Sequence, residues 1–442
     1  MGVLFLTSST APDDGVSSES MFSFMKGNVL VMTITNIFRM FSRSAVNPYF
    51  SLYVLALGGS INSIGLINSL GPLASLLIFP IAGYITDRTG RVKLIVVAGY
   101  FSAVVYLFYI FTSNWVMLAL GSFLLGMTVF QFPAQSALMA DSLSSRQRGI
   151  GFATSGAIPG AVAVIAPFFA GYLIDKMGAE IAIRYLYALL LVIYFVSTTI
   201  RMKFLKETFK RSEPSLGFSN LKELVKESYH SIIDVFKWAP TSLKAFALVT
   251  ALSFMANAIT GPFWVIYAIQ VVGLSGTEWG SLLLLYSAFR IAISIPAGIA
   301  VDRFGKRKTI VASFILSIIS LLYFTHSRDY IDLLAILLTL AVANAFLPTA
   351  SAALMADVVP REMRGKVMAA FGRGAIIINP GRGGGGPGMG YAFVFPVMFG
   401  SLIGGYVYGI NPTHPWFLQL VLTIGSLILS LAFIHDPEKA EI

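Results

Sequence analysis

Three arginines stand inside stretches that are otherwise apolar: Arg39, Arg43 and Arg290. Arg39 and Arg43 are four residues apart, so a helix places them on one face. At 1.5 Å per residue, Arg39 lies about 16–18 Å along a helix that starts near residue 28, close to the midplane of a bilayer. A charge at that depth costs about 2.5–3.5 kcal/mol even on permissive insertion scales, and it usually faces a water-filled pathway. No aspartate or glutamate lies in the middle of any of these stretches to neutralise them. The guanidinium fork suits carboxylate and phosphate oxygens. The chemistry expected is recognition of a solute with negative charge or several acceptor oxygens. Carbonyls at helix breaks, hydroxyls and water are the competing partners, and they would make the same arginines structural.

Other chemistries find little support. The four histidines (His230, His326, His414, His435) are scattered, without metal-ligand spacing. The absence of cysteine excludes disulfides, thiolate metal sites and a cysteine nucleophile. No catalytic, cofactor-binding or metal-binding residue is expected, and the chain reads as a non-enzyme.

The elements that must position the arginines follow from composition. Of 442 residues, 56% are hydrophobic and only 12% charged, with a mean hydropathy of +0.78. A soluble chain is about 45–50% apolar and about 25% charged, so soluble enzymes, nucleic-acid binders and disordered scaffolds are excluded together. Apolar runs of spanning length, about 20 residues each, follow one another from residue 28. They fall near 28–55, 62–84, 94–112, 116–141, 149–173 and 182–201, then 244–271, 276–300, 309–326, 331–357, a region within 366–409, and 415–434. That gives six spans, a polar connection over 202–243, and six more.

Positive charge is concentrated after spans 2, 4, 6, 8 and 10, including Arg88, Arg91, Lys93, Arg148, Arg201, Lys203, Arg303, Lys306, Arg307 and Arg364. The opposite loops offer Lys176, Arg184 and Arg328. By the positive-inside rule both termini face the cytoplasm of a multi-pass protein in the cell membrane. Residues 1–27 read as a polar cytoplasmic tail without signal-peptide character, and 436–442 as a second tail. Within 202–243, the stretch Leu221 to Phe236 has helical apolar spacing and suits the membrane surface.

Self-comparison reveals a repeat. Gly83-Tyr-Ile-Thr-Asp87-Arg88-Thr-Gly90-Arg91 matches Gly298-Ile-Ala-Val-Asp302-Arg303-Phe-Gly305-Lys306 at an offset of 215 residues. Ala137-Leu-Met-Ala-Asp141 matches Ala353-Leu-Met-Ala-Asp357 at 216, and Pro48 and Tyr53 match Pro262 and Tyr267 at 214. Near the end the register slips to 234, so the second half carries about 18 additional residues, centred on the Gly-rich run 379–390. So many glycines will not hold a helix unaided. The insert reads either as a flexible cytoplasmic loop before a short span at 391–409 or as a break within span 11. No Lys-Ser/Thr follows it, so it is not a phosphate-binding P-loop.

These residues resemble the major facilitator superfamily of secondary transporters, whose signature between helices 2 and 3 is G-x-x-x-D-R-x-G-R-[RK]. The first copy carries Gly83, Asp87, Arg88, Gly90 and Arg91, with Val92 at the final basic position. The second, Gly298 to Arg307, is complete with Lys306 for the first arginine. The exporters' helix-5 motif survives in degraded form around Pro167 and Gly171, while the helix-4 arginine motif is missing.

The resemblance implies an all-α fold of 12 transmembrane helices in two pseudo-symmetric bundles, 28–201 and 244–435, with helices 1, 4, 7 and 10 lining a central cavity. Pathway candidates are then Asn36, Arg39, Arg43, Tyr53, Gln131, Gln135, Asn257, Trp264, Tyr267, Tyr286, Arg290 and Asn344, each with packing or interhelical bonding as the alternative role. Arg91 with Asp141, and Lys306 with Asp357, are expected to form cytoplasmic clusters with Asp87 and Asp302 that lock an outward-open state. Pro48 and Pro262 would kink helices 1 and 7.

The function implied is alternating-access transport of a small, anionic or oxygen-rich organic solute, efflux antiport being one mode and facilitated diffusion or exchange another. The missing mid-span carboxylate weighs against proton coupling. The competing reading is a transporter-like sensor or scaffold that binds without transport. The partners expected are that solute, with or without a coupling ion, and the lipid bilayer. No cofactor and no nucleic acid are implied, and the chain reads as a monomer.

Overall fold

A computed structural model describes residues 24–209, 226, 230, 234–360, 362–372, 374–378, 380–381 and 389–436, without the side chains at 80, 81, 83, 84, 87, 88 and 369. Span 1 is Gly27–Val46, carried through a 3₁₀ turn into Phe50–Ala56. Spans 2 and 3 are Ile61–Thr89 and Arg91–Phe111, and span 4 is Trp115–Asp141. Spans 5 and 6 are Arg148–Met177 and Ala179–Phe204. The second half follows with span 7, Thr241–Val271, span 8, Gly276–Phe304, span 9, Lys306–Phe324, and span 10, Tyr330–Val358. Spans 11 and 12 are Tyr391–Ile410 and His414–Phe433. Among the described residues, eleven of these are long and apolar enough to cross a membrane. Span 1, which carries the two arginines, is the twelfth by position.

Local chemistry sets the ends and breaks. Ser60 and Ser275 open spans 2 and 8 with reciprocal caps to Ser63 and Glu278. Gly90 and Gly305 adopt φ of +84° and +89° between spans 2 and 3 and spans 8 and 9, a conformation that favours glycine. Proline removes a helix donor. At Pro48 and Pro262 the α-ladder accordingly gives way to 3₁₀ turns, Asn47–Tyr49 and Gly261–Phe263, at the repeat-related places where kinks are expected. Span 7 adds a π turn, Tyr267–Val271.

Span 1 packs on spans 5 and 6 in the first half, and span 7 on spans 11 and 12 in the second. The halves meet where span 2 crosses span 11 and span 5 crosses span 8. Glycine permits both crossings: a Cβ on Gly65 would lie 2.6 Å from the Ser401 carbonyl oxygen, and one on Gly171 only 2.0 Å from that of Gly276. Polar contacts fasten the second crossing. Asp175 accepts from the backbone N–H groups of Gly276 and Thr277 at 2.7 Å each and from the Thr277 hydroxyl. The Tyr49 hydroxyl sits 2.9 Å from the Pro167 carbonyl and 3.0 Å from that of Gly276. These contacts close the face opposite the signature loops.

Of the Gly-rich run 379–390, residues 379 and 382–388 lie outside the described residues, but the stretch that leads into it is buried. After a short helix, Arg364–Phe371, the chain turns at Gly372 and Gly374 with φ of +69° and +71° and enters the second bundle. Ile376 and Ile378 are 1% and 2% exposed, and Gly381 is buried against Pro48 of span 1 and Leu283 of span 8. By Gly390 the chain is back beside Ala370 and Gly372. Burying an isoleucine is worth about 1.5–3 kcal/mol, so the apolar run 376–378 draws the segment inward despite its glycines. In the linker, Lys226, His230 and 234–238 are helical. The rest of the expected surface helix, and the tails 1–23 and 437–442, lie outside the described residues.

Candidate functional site

The first-half arginines form one cluster. Arg39 is 7% exposed. Its Nη2 lies 3.5 Å from Gln131 Oε1, and its guanidinium carbon stands 4.0 Å from the centroid of the Tyr194 ring, a cation–π contact. Arg43, half-buried one turn on, has Tyr194, Tyr106 and Tyr187 as neighbours.

A third member stands, by sequence, among the charges that follow span 6. Arg201 lies within the end of span 6, 0% exposed, donating from Nε to Thr35 Oγ1 at 2.9 Å and from Nη2 to Asn36 Oδ1 at 2.7 Å. It is close enough to Arg39 to repel it. One guanidinium nitrogen of each, Arg39 Nη1 and Arg201 Nη1, is buried without a partner. No described carboxylate pairs with any of the three. Gln131 is held by Gln135 Nε2 at 3.0 Å and donates to Thr128 Oγ1 at 3.2 Å, fixing its carbonyl oxygen toward Arg39. The cluster is thus a concentration of positive charge with donor capacity to spare. A spare donor of this kind fits an anion.

The second-half candidates do not form a matching cluster. Asn344 donates to the Tyr286 hydroxyl at 2.9 Å and to the Ile378 carbonyl at 2.5 Å, and accepts from the Ile378 N–H at 2.8 Å. Asn257 donates to the Ser253 carbonyl at 2.9 Å and to that of Ile377. Arg290, one turn beyond Tyr286, is partly exposed and makes no hydrogen bond or ion pair with a described residue. Three other candidates are engaged in packing. The Tyr53 hydroxyl donates to the Tyr109 carbonyl at 2.5 Å. Trp264 and Tyr267 belong to an aromatic stack with Phe324 and Trp416, with Tyr267 and Trp416 rings 4.8 Å apart.

On the signature face Arg91 pairs with Asp141 and also donates to the Ala137 carbonyl and Thr208 Oγ1, both at 3.1 Å, while Lys306 pairs with Asp357. The expected pairs are formed, each inside its own half. The side chains of Asp87 and Arg88 and the surroundings of Gly83 lie outside what is described. Asp302 and Arg303 are exposed. Two carboxylates that the spacing did not single out bond the start of the next helix. Glu207 accepts from the Val92 N–H at 2.9 Å, and Asp436 from the Arg307 N–H at 3.0 Å. A Cβ on Gly298 would meet open space, so nothing in this conformation requires glycine there. Pro167 and Gly171 of the helix-5 motif sit at the crossing of spans 5 and 8: a Cβ on Gly280 would lie 2.5 Å from the Pro167 carbonyl oxygen.

Comparison with known proteins gives the same architecture. The family model of the Major Facilitator Superfamily matches residues 32–243 and 246–441. An uncharacterised MFS-type transporter of Methanocaldococcus jannaschii is 24% identical over 421 residues, covering 91% of this chain and 94% of the relative. The quinolone resistance protein NorA of Staphylococcus aureus is 24% identical over 189 residues, which is 43% of this chain and 44% of that protein. Among solved structures, the human organic anion transporter MFSD10 superposes with a TM-score of 0.61 at 17% identity, over 91% of this chain and 98% of the other. That likeness concerns the fold.

Proposed function

The chain belongs to the Major Facilitator Superfamily, and from that premise we propose that it moves a small organic anion, or a solute rich in acceptor oxygens, across the cell membrane by alternating access. The observation that carries the anionic reading is the cluster of Arg39, Arg43 and Arg201, in which Arg39 and Arg201 keep buried spare donors that face no described carboxylate. The half-exposed Arg43 and Gln135 are the groups through which a solute reaches it. Two six-helix halves related by a repeat suit rocking about a site between them.

With the signature face taken as cytoplasmic from its loop charge, the contacts of Asp175, Tyr49 and Gly171 shut the outer side, so this conformation is inward-facing. The intact pairs Arg91–Asp141 and Lys306–Asp357 then brace each half, and any lock between halves engages in the opposite state.

Proteoliposomes test the reading. Counterflow of radiolabelled benzoate, citrate and glucose 6-phosphate is measured against that of ethidium. At least one anion exchanges, and Arg39→Gln or Arg43→Gln slows it. Movement of ethidium alone, indifferent to both substitutions, overturns the anionic reading. Saturable anion binding without flux favours the sensor reading.

A further inference from the structure

The polar side chains of the second half are already occupied, and the occupant is the chain itself. Asn344 grips Ile378 at both main-chain groups, accepting its N–H at 2.8 Å and donating to its carbonyl at 2.5 Å. Asn257 donates to the carbonyl of Ile377, and Ser351 Oγ accepts the N–H of Ile376 at 3.1 Å. Four main-chain groups of one three-residue stretch are therefore bonded by side chains from spans 7 and 10. The amide joining Ile377 to Ile378 is held at both groups, its carbonyl by the Asn257 carboxamide N–H and its N–H by Asn344 Oδ1, so spans 7 and 10 together present the complement of one secondary amide. Tyr286, bonded to the same Asn344 amide, holds it in register.

The stretch Ile376–Ile378 belongs to no helix. The excursion that contains it leaves and re-enters through a neck at which a Cβ on Gly390 would lie 2.2 Å from the Ala370 carbonyl oxygen and 2.4 Å from the Gly372 nitrogen. The segment can therefore withdraw through that neck while spans 10 and 11 stay wound. Shortly beyond this stretch Gly381 lies beside Pro48 of the other half, so the described part of the excursion stands between the two halves.

We propose that the second-half wall of the pathway is a recognition site for a secondary amide, filled in this conformation by Ile376–Ile378, which leaves when a solute bearing such an amide takes its place. Combined with the arginines of the first half, the favoured solute is a carboxylate with a secondary amide, an N-acylated amino acid in chemical class. The carboxylate end rests on the anionic reading above. The amide end stands on its own geometry.

The chain has no cysteine, so Ile378→Cys supplies the sole thiol for labelling by a charged maleimide, with the full-length protein held in lipid nanodiscs. Ile376→Cys replaces it if that variant is unstable. Labelling is slow at rest and rises at least tenfold with N-acetyl-leucine. The ester analogue 2-acetoxy-4-methylpentanoate, which keeps the carboxylate and lacks the N–H, leaves it slow. Asn344→Ala in the same background labels rapidly with no solute; Ser351→Ala and Asn257→Ala are the substitutes should that variant misfold.

Equal labelling with both compounds, no response to either, or slow labelling in all the folded side-chain variants overturns the proposal and makes the segment a permanent wall. N-acetyl-leucinamide separates the two readings. If it accelerates labelling while no carboxylate exchanges in liposomes, the amide site stands and the anionic reading falls. If carboxylates exchange with labelling unchanged by any amide, the reverse holds.

Discussion

The two halves of this chain can be compared position by position, because the repeat fixes the correspondence. A shift of 214 residues places Asn257 where the first half has Arg43, and Ser253 where it has Arg39. A shift of 216 places Ser351 at the position of Gln135 and Asn344 at that of Thr128. In the first half these positions carry or surround guanidinium groups; in the second, Asn257, Ser351 and Asn344 hold a length of main chain, while the Ser253 hydroxyl bonds within its own helix. The signature face behaves differently. Arg91–Asp141 recurs as Lys306–Asp357, and the carboxylates of Glu207 and Asp436 bond the backbone N–H of Val92 and Arg307, which are themselves 215 residues apart. The parts that brace each bundle are duplicates, while the parts proposed to face the solute differ between the halves. A transporter needs two similar levers and has no need of two similar binding walls.

The substitution that should break the contrast most severely makes the first half resemble the second. A hydrogen bond to a charged group is worth about 1.5–3 kcal/mol, so Arg43→Asn is expected to slow anion counterflow about 10–100-fold. Retained flux would mean that Arg43 is structural. Next in size is the crossing between halves. Gly171→Val forces a side chain into the Gly276 carbonyl and should prise the outer face open. Spin labels at Ser113→Cys and Arg328→Cys would read this as a longer distance than in the parent background, and an unchanged distance would show that the crossing is not what holds that face shut.

Asp175→Asn keeps the shape of the latch but surrenders its charge at the start of span 8. Helix-end charges of this type contribute about 0.3–1 kcal/mol, so the same label pair should show a partial shift toward the longer distance, smaller than for Gly171→Val. The smallest effect concerns the duplicated caps. Glu207→Gln and Asp436→Asn should each lower thermal stability by a similar amount, about 0.3–1 kcal/mol. A loss confined to one of them would show that the two braces are not equivalent.

Much of this organisation was readable from the residues. Span length, the duplicated signature and the kinks at Pro48 and Pro262 follow from hydropathy, self-similarity and the missing proline donor. Arg39 and Arg43 were visible because a charge within an apolar stretch has no innocuous explanation. Arg201 escaped because it stands where apolar sequence gives way to Lys203 and Lys206, the pattern of a membrane boundary. Only Asn36 and Thr35, 165 and 166 residues away in span 1, show that it turns inward. The burial of Ile376–Ile378 was hidden for a related reason: the glycines beside them argue for a surface loop, whereas their receptors, Asn257, Asn344 and Ser351, lie on helices distant in sequence. Asp175 was silent altogether, since an exposed carboxylate at the end of span 5 carries no mark of the helix start it will cap.

The neck at Gly390 also bears on how this second half can change over generations. Two strands of chain that touch at their base can be joined there by a short deletion, or parted by an insertion, without moving the helices on either side. A change in the length of the excursion at that neck would therefore reshape the wall proposed at Ile376–Ile378 and leave the flanking helices where they are.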